Sequence, residues 1–192
     1  MPEPRIAILI SGTGSNMEAI IAACRRGSLA AEVAIVISDN KDAAGLKKAK
    51  SKGVKTLAAQ YEKNAPREEN EARIIAALKA ERVEWVVLAG FMKVLTASFV
   101  REFPNRIVNI HPALLPAFPG AHAIKDALDA KADITGVTVH IVDEYVDHGT
   151  VIAQEEVPIL PGDTEETLAP RIHAVEHKLY SRTLQQLFHE DI

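Results

Sequence analysis

The sequence predicts an α/β protein with a doubly wound, mostly parallel sheet, followed by a C-terminal antiparallel strand extension and a long helix. Continuously apolar runs such as Arg5–Ser11 are typical of strands that are buried on both faces. Segments with apolar residues at helical spacing alternate with these runs through the first half of the chain. Later, Thr135–Val142 alternates apolar and polar residues, which indicates an antiparallel or half-exposed strand.

The elements predicted for the first half follow a repeated strand–helix order. The strands are Arg5–Ser11, Glu32–Ser38, Val54–Ala58, Trp85–Ala89 and Arg106–Ile110. The helices between them are Asn16–Arg26, Ala43–Lys52, Glu68–Glu81 and Thr96–Glu102. Gly27 and Gly53 follow the first two helices, where glycine is a common stop. This order predicts a parallel sheet with right-handed crossovers.

The pattern changes at His111–Gly120, whose three prolines exclude a regular element. The elements predicted after it are a helix at Ile124–Ala130, strands at Thr135–Val142 and Val151–Val157, and a helix from Thr164 to about Leu187. A polar loop, Asp143–Thr150, joins the two strands. Because the chain shows no internal repeat or linker, we expect residues 1–192 to form a single domain.

Composition narrows the possible functions. The net charge is −4 and no basic block is present, which argues against a nucleic-acid partner. Cys24 is the only cysteine, so an internal disulfide is impossible and a reducing compartment is favoured. No apolar run approaches the ~18 residues of a membrane span, and the start of the chain lacks a signal-peptide pattern. We therefore expect a cytoplasmic protein without a membrane partner.

A glycine-rich run, Ser11-Gly12-Thr13-Gly14-Ser15-Asn16, lies between the first strand and the first helix. Glycines permit a tight turn, and the helix start presents unpaired N–H groups to an anion. Met17 stands where the dinucleotide pattern G-x-G-x-x-G has glycine, and the P-loop lysine is missing. A monophosphate or other small anion is therefore preferred to a nicotinamide dinucleotide. A tight turn without a ligand remains an alternative.

Asn109 and His111 occupy the carboxyl end of the fifth predicted strand, two residues apart, so their side chains point the same way. Ligands bind at this end of the strands in open α/β sheets. Asp147 lies in the second polar loop, and a carboxylate near His111 would orient the imidazole and favour its charged form. Taken alone, the pair is explained slightly better by a structural role.

A zinc site is a competing hypothesis. His173-Ala174-Val175-Glu176-His177 matches the H-x-x-E-H zinc pattern, and residues 173 and 177 share one helix face. So short a pattern arises easily by chance, and little chain follows it to supply a third ligand. A polar helix stripe, with Glu176 still free to touch a ligand, is the preferred interpretation.

Several longer motifs can be compared with known families. They are Ile10–Met17, Leu88–Leu95, Ile107–Pro116, Phe118–Gly120, Gly136–His140, Asp147 and Glu176–His177. Through them the chain resembles, nearly end to end, the phosphoribosylglycinamide formyltransferases among the folate-dependent formyltransferases. The resemblance implies a Rossmann-like formyltransferase fold and transfer of a formyl group from 10-formyltetrahydrofolate to the amine of a glycinamide ribonucleotide. It implies small-molecule substrates and no metal, and leaves monomer or homodimer open.

The resemblance also implies residue roles. The catalytic residues would be Asn109, His111 and Asp147. The ribonucleotide would be bound by Gly14, Ser15, Asn16, Met17, His173 and Glu176. The folate would be lined by Arg67, Met92, Lys93, Val94, Leu95, Asn109, Asp143, Glu144, Tyr145, Val146 and Asp147.

Two departures from the family pattern concern the folate side. Lys93 stands where many members have arginine, and His148-Gly149-Thr150 replaces a Gly-Gly-Pro-like sequence, which puts the rigidity of that loop in question. Sibling hydrolases carry an extra regulatory domain, and the methionyl-tRNA formyltransferases carry a basic tRNA-binding domain. Neither domain is expected in this chain.

Overall fold

The computed structural model describes residues 3–190, which contain seven strands and six helices. The strands are β1 (Arg5–Ile10), β2 (Glu32–Ser38), β3 (Thr56–Ala58), β4 (Trp85–Leu88), β5 (Ile107–His111), β6 (Ile134–Ile141) and β7 (Val151–Pro158). The helices are α1 (Ser15–Arg25), α2 (Ala44–Ser51), α3 (Arg67–Ala80), α4 (Ala97–Glu102), α5 (Ala123–Asp129) and α6 (Glu165–Glu190). Of the domain predicted over 1–192, residues 1, 2, 191 and 192 lie outside the described part.

All the strands belong to one sheet, in the order β3-β2-β1-β4-β5-β6-β7. Strands β1 to β5 are parallel, whereas β5–β6 and β6–β7 pair antiparallel. This confirms the predicted doubly wound sheet with its antiparallel extension. The strand order reverses between β1 and β4, and in open α/β sheets such a switch point opens a crevice where ligands bind.

The central strands are buried on both faces, as their apolar runs predicted. Ile6, Ile8 and Ile10 of β1 pack into one core cluster, which includes residues of α1, α2 and α6. Ala7 and Leu9 point the other way, into a second cluster with α3 and α4. Alternate side chains of a strand point to opposite faces, so a strand covered on both sides must be apolar throughout.

Strand β6 is antiparallel, which confirms one of the two alternatives predicted for this segment. The other alternative, a half-exposed strand, is wrong. Val137 and Val139 are fully buried in the core cluster that α6 completes. On the opposite face, the strand is covered by the proline-rich loop, which consists of residues 111–120. The packing is close, since a Cβ on Gly136 would lie 2.5 Å from the Leu114 side chain. Thr138 on that face is also fully buried. The segments that cover the two faces of β6 are distant in sequence, so the alternation of apolar and polar residues along the strand could not reveal them.

Helix α6 crosses the sheet and brings its polar residues to the switch point. It begins at Glu165, one residue after the predicted start, and runs to Glu190. The fully buried Tyr180 hydroxyl lies 2.9 Å from the carbonyl oxygens of both Leu88 and Val108. These contacts fasten α6 to β4 and β5. Among residues 3–190, none of the helices combines the length and apolar character needed to cross a bilayer.

Candidate active site

A pocket of about 560 Å³ opens at the carboxyl ends of β1, β4 and β5. Its walls come from the glycine-rich turn, the segment after β4, the end of β5, the loop between β6 and β7, and α6. The residues predicted for ribonucleotide, folate and catalysis therefore meet in one cavity, with the exceptions of Arg67 and Met17. The switch point of the sheet explains why segments so distant in sequence converge.

The glycine-rich turn is shaped by close backbone packing. Gly14 has a φ of 73°, and a Cβ there would lie 3.0 Å from both Gly45 Cα and Met17 Cε. The Gly45 N–H donates to the Gly12 carbonyl at 3.0 Å, which fixes the turn against the start of α2. Helix α1 begins at Ser15 beside the pocket, so the unpaired N–H groups of its first turn lie at the pocket. The geometry of the turn therefore suits an anion.

Met17 occupies a different position from its neighbours in the motif. Its side chain is fully buried in the core below Gly14. Any contact with an anion at the turn would therefore use the backbone of Met17. In dinucleotide-binding turns a third glycine allows close packing of the helix on the strand, so the bulky Met17 side chain at that position disfavours a nicotinamide site.

Glu176 joins α6 to the turn. Its Oε2 accepts a hydrogen bond of 3.0 Å from Asn16 Nδ2, and both side chains are buried. Burial raises the pKa of the Glu176 carboxyl, while the Asn16 bond and the charge of His173 partly oppose that shift. Asn16 Oδ1 is buried and has no hydrogen-bond partner among the described residues. Both residues line the pocket, and Asn16 Oδ1 is the acceptor that is left unsatisfied.

The H-x-x-E-H pattern is not accompanied by a ligand set. Glu176 is bonded to Asn16 rather than grouped with the two histidines as metal ligands. Residues 3–190 contain no cluster of three or more His, Cys, Asp or Glu side chains that could hold a metal ion. The pattern is explained by a helix face, with His173 and Glu176 turned to the pocket.

His111 and Asp147 approach each other across the pocket. His111 Nδ1 lies 3.5 Å from Asp147 Oδ2, and His111 Nε2 donates to the Phe118 carbonyl at 2.7 Å. The His111 residue is only 4% exposed. Since the two ring nitrogens face a carbonyl and a carboxylate, both can donate only when the imidazole is protonated. Each ring nitrogen of His111 thus faces an oxygen acceptor.

Asp147 is held in its ionised form. The contact with the His140 imidazole, whose Nε2 lies 3.7 Å from Oδ1, lowers the pKa of the Asp147 carboxyl most strongly. A 2.8 Å hydrogen bond from the Gly120 N–H and the charge of His111 lower it further, against the opposing effect of burial. The backbone of Asp147 is left-handed, with a φ of 51°. A non-glycine residue there costs about 1–2 kcal/mol, so surrounding contacts must maintain it.

His140 is a site residue whose role could not be predicted from the sequence motifs. It pairs with Asn109 in the β5–β6 register, and Asn109 Nδ2 lies 3.2 Å from His140 Nε2. His140 Nδ1 donates to the Ile141 carbonyl at 3.1 Å, so Nε2 is the ring nitrogen that faces Asp147 Oδ1 as well as the Asn109 amide. This contact fixes the Asn109 amide and leaves its second N–H for a ligand. The alternation of Gly136, Thr138 and His140 on one strand face is the signal that could have revealed it.

The proline-rich loop is anchored onto β6. Thr138 Oγ1 donates to the Ala113 carbonyl at 2.7 Å and accepts from the Leu115 N–H at 3.0 Å. Gln154 Nε2 donates to the Leu115 carbonyl at 2.9 Å. These bonds fix the course of the loop that delivers the Phe118 carbonyl to His111. Local chain signals did not predict any of them.

An apolar rim surrounds the part of the pocket that was predicted for folate. Its exposed side chains are Met92, Val94, Tyr145 and Val146, at 61%, 46%, 71% and 53% exposure. Grouped exposed apolar side chains are a common mark of a ligand groove. Arg67 stands behind this rim, and its Nη1 donates to the Val94 carbonyl at 3.4 Å. Its predicted contact with folate stays a prediction.

The loop between β6 and β7 is tied down despite its unusual sequence. His148 Nδ1 lies 2.9 Å from Asp143 Oδ2, and this contact joins the two residues that flank the segment 144–147. Arg101 Nη1 donates to Glu144 Oε1 at 2.9 Å. Gly149 has no room for a side chain, because a Cβ there would lie 1.8 Å from the Ile141 carbonyl oxygen. Tight packing, rather than proline, restricts this loop.

Comparison with known proteins identifies the family. The profile of the family described as "Formyl transferase" matches residues 4–184. The phosphoribosylglycinamide formyltransferase of Escherichia coli is 38% identical over 175 residues, which are 91% of this chain and 82% of that protein. The chain belongs to the formyl transferase family. Membership implies a folate-type formyl donor and confirms the resemblance expected from the motifs.

Other formyl transferases extend the comparison. The crystal structure of glycinamide ribonucleotide transformylase 1 from Symbiobacterium toebii superposes with a TM-score of 0.95 at 43% identity. The match covers 97% of this chain and 88% of that one, which confirms the Rossmann-like fold. The trifunctional purine biosynthetic protein adenosine-3 of Drosophila melanogaster is 48% identical over 185 residues. The chain spans 95% of its own length in that match, but only 14% of the Drosophila protein.

Proposed function

We propose that the protein transfers the formyl group of 10-formyltetrahydrofolate to the amine of N1-(5-phospho-D-ribosyl)glycinamide. The products are the N-formyl ribonucleotide and tetrahydrofolate, in de novo purine (IMP) biosynthesis. One observation carries this proposal: a single cavity is lined by the glycine-rich turn, by the apolar rim and by Asn109, His111 and Asp147. A phosphorylated amine and a folate can therefore meet at one reacting centre.

The turn and α6 form the ribonucleotide side of the pocket. The phosphate binds at the N–H groups of residues 14–17, where the helix dipole favours negative charge. Glu176 and His173 face the same space and contact the ribose and glycinamide groups. The raised pKa of Glu176 eases its desolvation by a ligand. The turn therefore places the acceptor amine towards the end of β5.

The folate lies against the opposite wall. The wall residues Met92, Lys93, Val94 and Leu95 face the loop residues Asp143–Asp147 across the groove. Exposed apolar side chains on both sides would lose contact with water when they cover a flat ring system. The backbone groups and charged side chains of the two walls then orient the donor. Its formyl group reaches the same strand end as the acceptor amine.

The reaction is an acyl transfer without a covalent enzyme intermediate. The amine nitrogen bonds to the formyl carbon and gives a tetrahedral oxyanion, and the bond from that carbon to the folate nitrogen then breaks. The free N–H of Asn109 and the Nδ1–H of protonated His111 stabilise the oxyanion as its charge develops. The 3.5 Å separation of His111 Nδ1 and Asp147 Oδ2 exceeds a normal hydrogen bond, so the Nδ1–H remains available to the oxyanion.

Proton transfer balances the reaction. The attacking amine becomes positively charged and loses one proton, while the departing folate nitrogen gains one. Asp147, ionised through its contacts with His140, Gly120 and His111, accepts the proton and returns it, directly or through water. Starting from the neutral amine, the transfer then neither releases nor consumes a proton.

The test is an acceptor-dependence assay with purified protein. Loss of 10-formyltetrahydrofolate is followed with the ribonucleotide, without it and with other small amines, beside a calorimetric titration with NADH. We expect turnover only with the ribonucleotide and no NADH binding. Formate release without an acceptor would identify a deformylase, and turnover with another amine would identify a different formyltransferase. NADH binding without folate binding would contradict the proposal and favour an oxidoreductase.

A further inference from the structure

Two hydrogen bonds fasten the glycine-rich turn to the opposite wall of the pocket. The Ser11 N–H donates to the Gly90 carbonyl at 2.9 Å, and the Met92 N–H donates to Ser11 Oγ at 2.8 Å. Ser11 follows the last residue of β1, and Met92 lies in the irregular segment between β4 and α4. The connection thus spans the switch point of the sheet, between the proposed ribonucleotide and folate sides.

Asp39 determines how the Ser11 hydroxyl is turned. Ser11 Oγ donates to Asp39 Oδ1 at 2.5 Å, and the Asp39 side chain is only 10% exposed. A hydroxyl has one hydrogen to donate, so this bond leaves the lone pairs of Oγ for the Met92 N–H. Lys93 Nζ lies 3.9 Å from Asp39 Oδ2 and 5.6 Å from the Tyr61 ring centroid. The carboxylate therefore contacts the wall both through Ser11 and directly.

The wall depends on such contacts because it lacks regular backbone pairing. Residues 89–96 follow β4 and precede α4, and Met92 and Val94 project outwards as part of the apolar rim. At the far end, the Thr96 N–H donates to the buried Glu71 carboxylate at 3.1 Å. Ser11 makes the corresponding contacts at the other end of the wall, near β4. Its loss would release the half of the wall that faces the turn.

The turn itself has independent support. The Gly45–Gly12 hydrogen bond and the close packing of Gly14 do not involve the Ser11 side chain. The bond between Glu176 and Asn16 secures the start of α1 from the other side. A change at the Ser11 hydroxyl should therefore disturb the wall more than the anion-binding turn.

We propose that Ser11 and Asp39 are positioning residues for the formyl donor, with Ser11 holding the Met92–Leu95 wall and Asp39 acting through the Ser11 hydroxyl. The inference rests on the proposed function of the pocket. It adds a specific role for two side chains that touch neither reacting atom. Their effect should fall on the KM for the folate, and much less on kcat or on the KM for the ribonucleotide.

Steady-state kinetics of single and double variants test this role. Ser11→Ala should raise the KM for 10-formyltetrahydrofolate about fivefold, the effect of losing roughly one neutral hydrogen bond. The KM for the ribonucleotide should change by less than about twofold relative to wild type, well below the change in the KM for the folate. Asp39→Ala should raise the KM for the folate by a similar factor. Ser11→Thr keeps a hydroxyl and should therefore raise this KM less. Ser28→Ala, which removes an Oγ–Ala23 carbonyl bond beyond the pocket, is the matched control.

The double variant decides whether Asp39 acts through Ser11. In the Ser11→Ala background, Asp39→Ala should add little, whereas independent roles would multiply the two effects. Asp39→Asn, which keeps an acceptor for Ser11 but removes the charge beside Lys93, should change the folate KM less than Asp39→Ala. Multiplying effects, or equal rises in both KM values, would overturn the inference. Absence of transfer in the wild type would overturn the proposed function instead, and calorimetric titration of tetrahydrofolate would still measure the effect of Ser11→Ala.

Discussion

His111 Nδ1 lies 3.5 Å from Asp147 Oδ2, although the first residue ends a central strand and the second belongs to the loop between the last two strands. The opposite ring nitrogen, Nε2, donates to the Phe118 carbonyl at 2.7 Å. The imidazole is thus placed between two acceptors in a nearly buried site. This arrangement suits a donor that faces a developing oxyanion.

Replacement of His111 by alanine should remove one oxyanion donor without unfolding the protein. We expect kcat to fall by about 10²–10³-fold, the usual effect of such a loss. The measurement is the rate of formyl transfer, with circular dichroism as the check on folding. His189→Ala, at an exposed position near the end of α6, is the control. Near-normal turnover in the folded His111 variant would remove this residue from the mechanism.

The ionised Asp147 should give a stability difference that depends on pH. Its pKa is lowered in the folded protein, so its carboxylate stabilises the fold above the ordinary carboxyl pKa of ~4. That stabilisation is lost as the pH falls through the lowered pKa. The free energy of unfolding of wild type should therefore exceed that of Asp147→Asn most at neutral pH, and the difference should shrink below about pH 4.

Urea unfolding at a series of pH values measures this difference. Asp133→Asn, at an exposed position, controls for the general effect of removing one negative charge. A difference between wild type and Asp147→Asn that stays constant down to strongly acidic pH would contradict the contacts described for Asp147.

Glu176 should show the opposite sign. Burial raises its pKa above the ordinary value of 4.5, so its charged form destabilises the fold as the pH rises beyond that value. Glu176→Gln keeps an oxygen that can accept from Asn16 and removes the buried charge. We expect the variant to gain Tm relative to wild type, by more at about pH 7.5 than at about pH 4.5, while binding the ribonucleotide more weakly.

Differential scanning calorimetry at the two pH values, with ribonucleotide titration, tests the role of Glu176. Glu156→Gln on the exposed edge strand β7 is the matched control, for which no pH-dependent gain is expected. A lower Tm of Glu176→Gln at both pH values would show that the carboxylate stabilises the free protein, contrary to expectation.

The glycine turn offers a paired test of backbone geometry. Gly14→Ala forces a side chain onto a residue with a φ of 73° and into contact with Gly45 and Met17. We expect the free energy of unfolding to fall by about 1–3 kcal/mol, together with weaker ribonucleotide binding. Gly12→Ala has open space around its Cβ and should change stability far less. Equal losses in urea unfolding would show that the strain at Gly14 is not the cause.

The sequence was sufficient to predict the features that depend on local pattern. Apolar runs identified the parallel strands, and the period of two placed Asn109 and His111 on one face at a strand end. The position of glycines between the first strand and helix predicted the tight turn that precedes α1. Each of these follows from backbone geometry over a few residues, so tertiary contacts were not needed to infer them.

Features that depend on register and packing could not be predicted in the same way. The contact of His140 with Asn109 requires the register of β5 and β6, and the approach of Asp147 requires the closed loop that His148 and Asp143 form. The burial of β6 results from two distant segments. Periodicity describes one element at a time, whereas these contacts depend on how separate elements are placed together.

Transfer of an isotope-labelled formyl group tests the central claim most directly. Purified protein would be incubated with 10-formyltetrahydrofolate labelled in the formyl carbon and with the glycinamide ribonucleotide, and the products would be identified by mass spectrometry. We expect the label in the formylated ribonucleotide, in equal amount to the tetrahydrofolate released. Recovery of the label as free formate, with the ribonucleotide unchanged, would contradict the assignment of this pocket to formyl transfer.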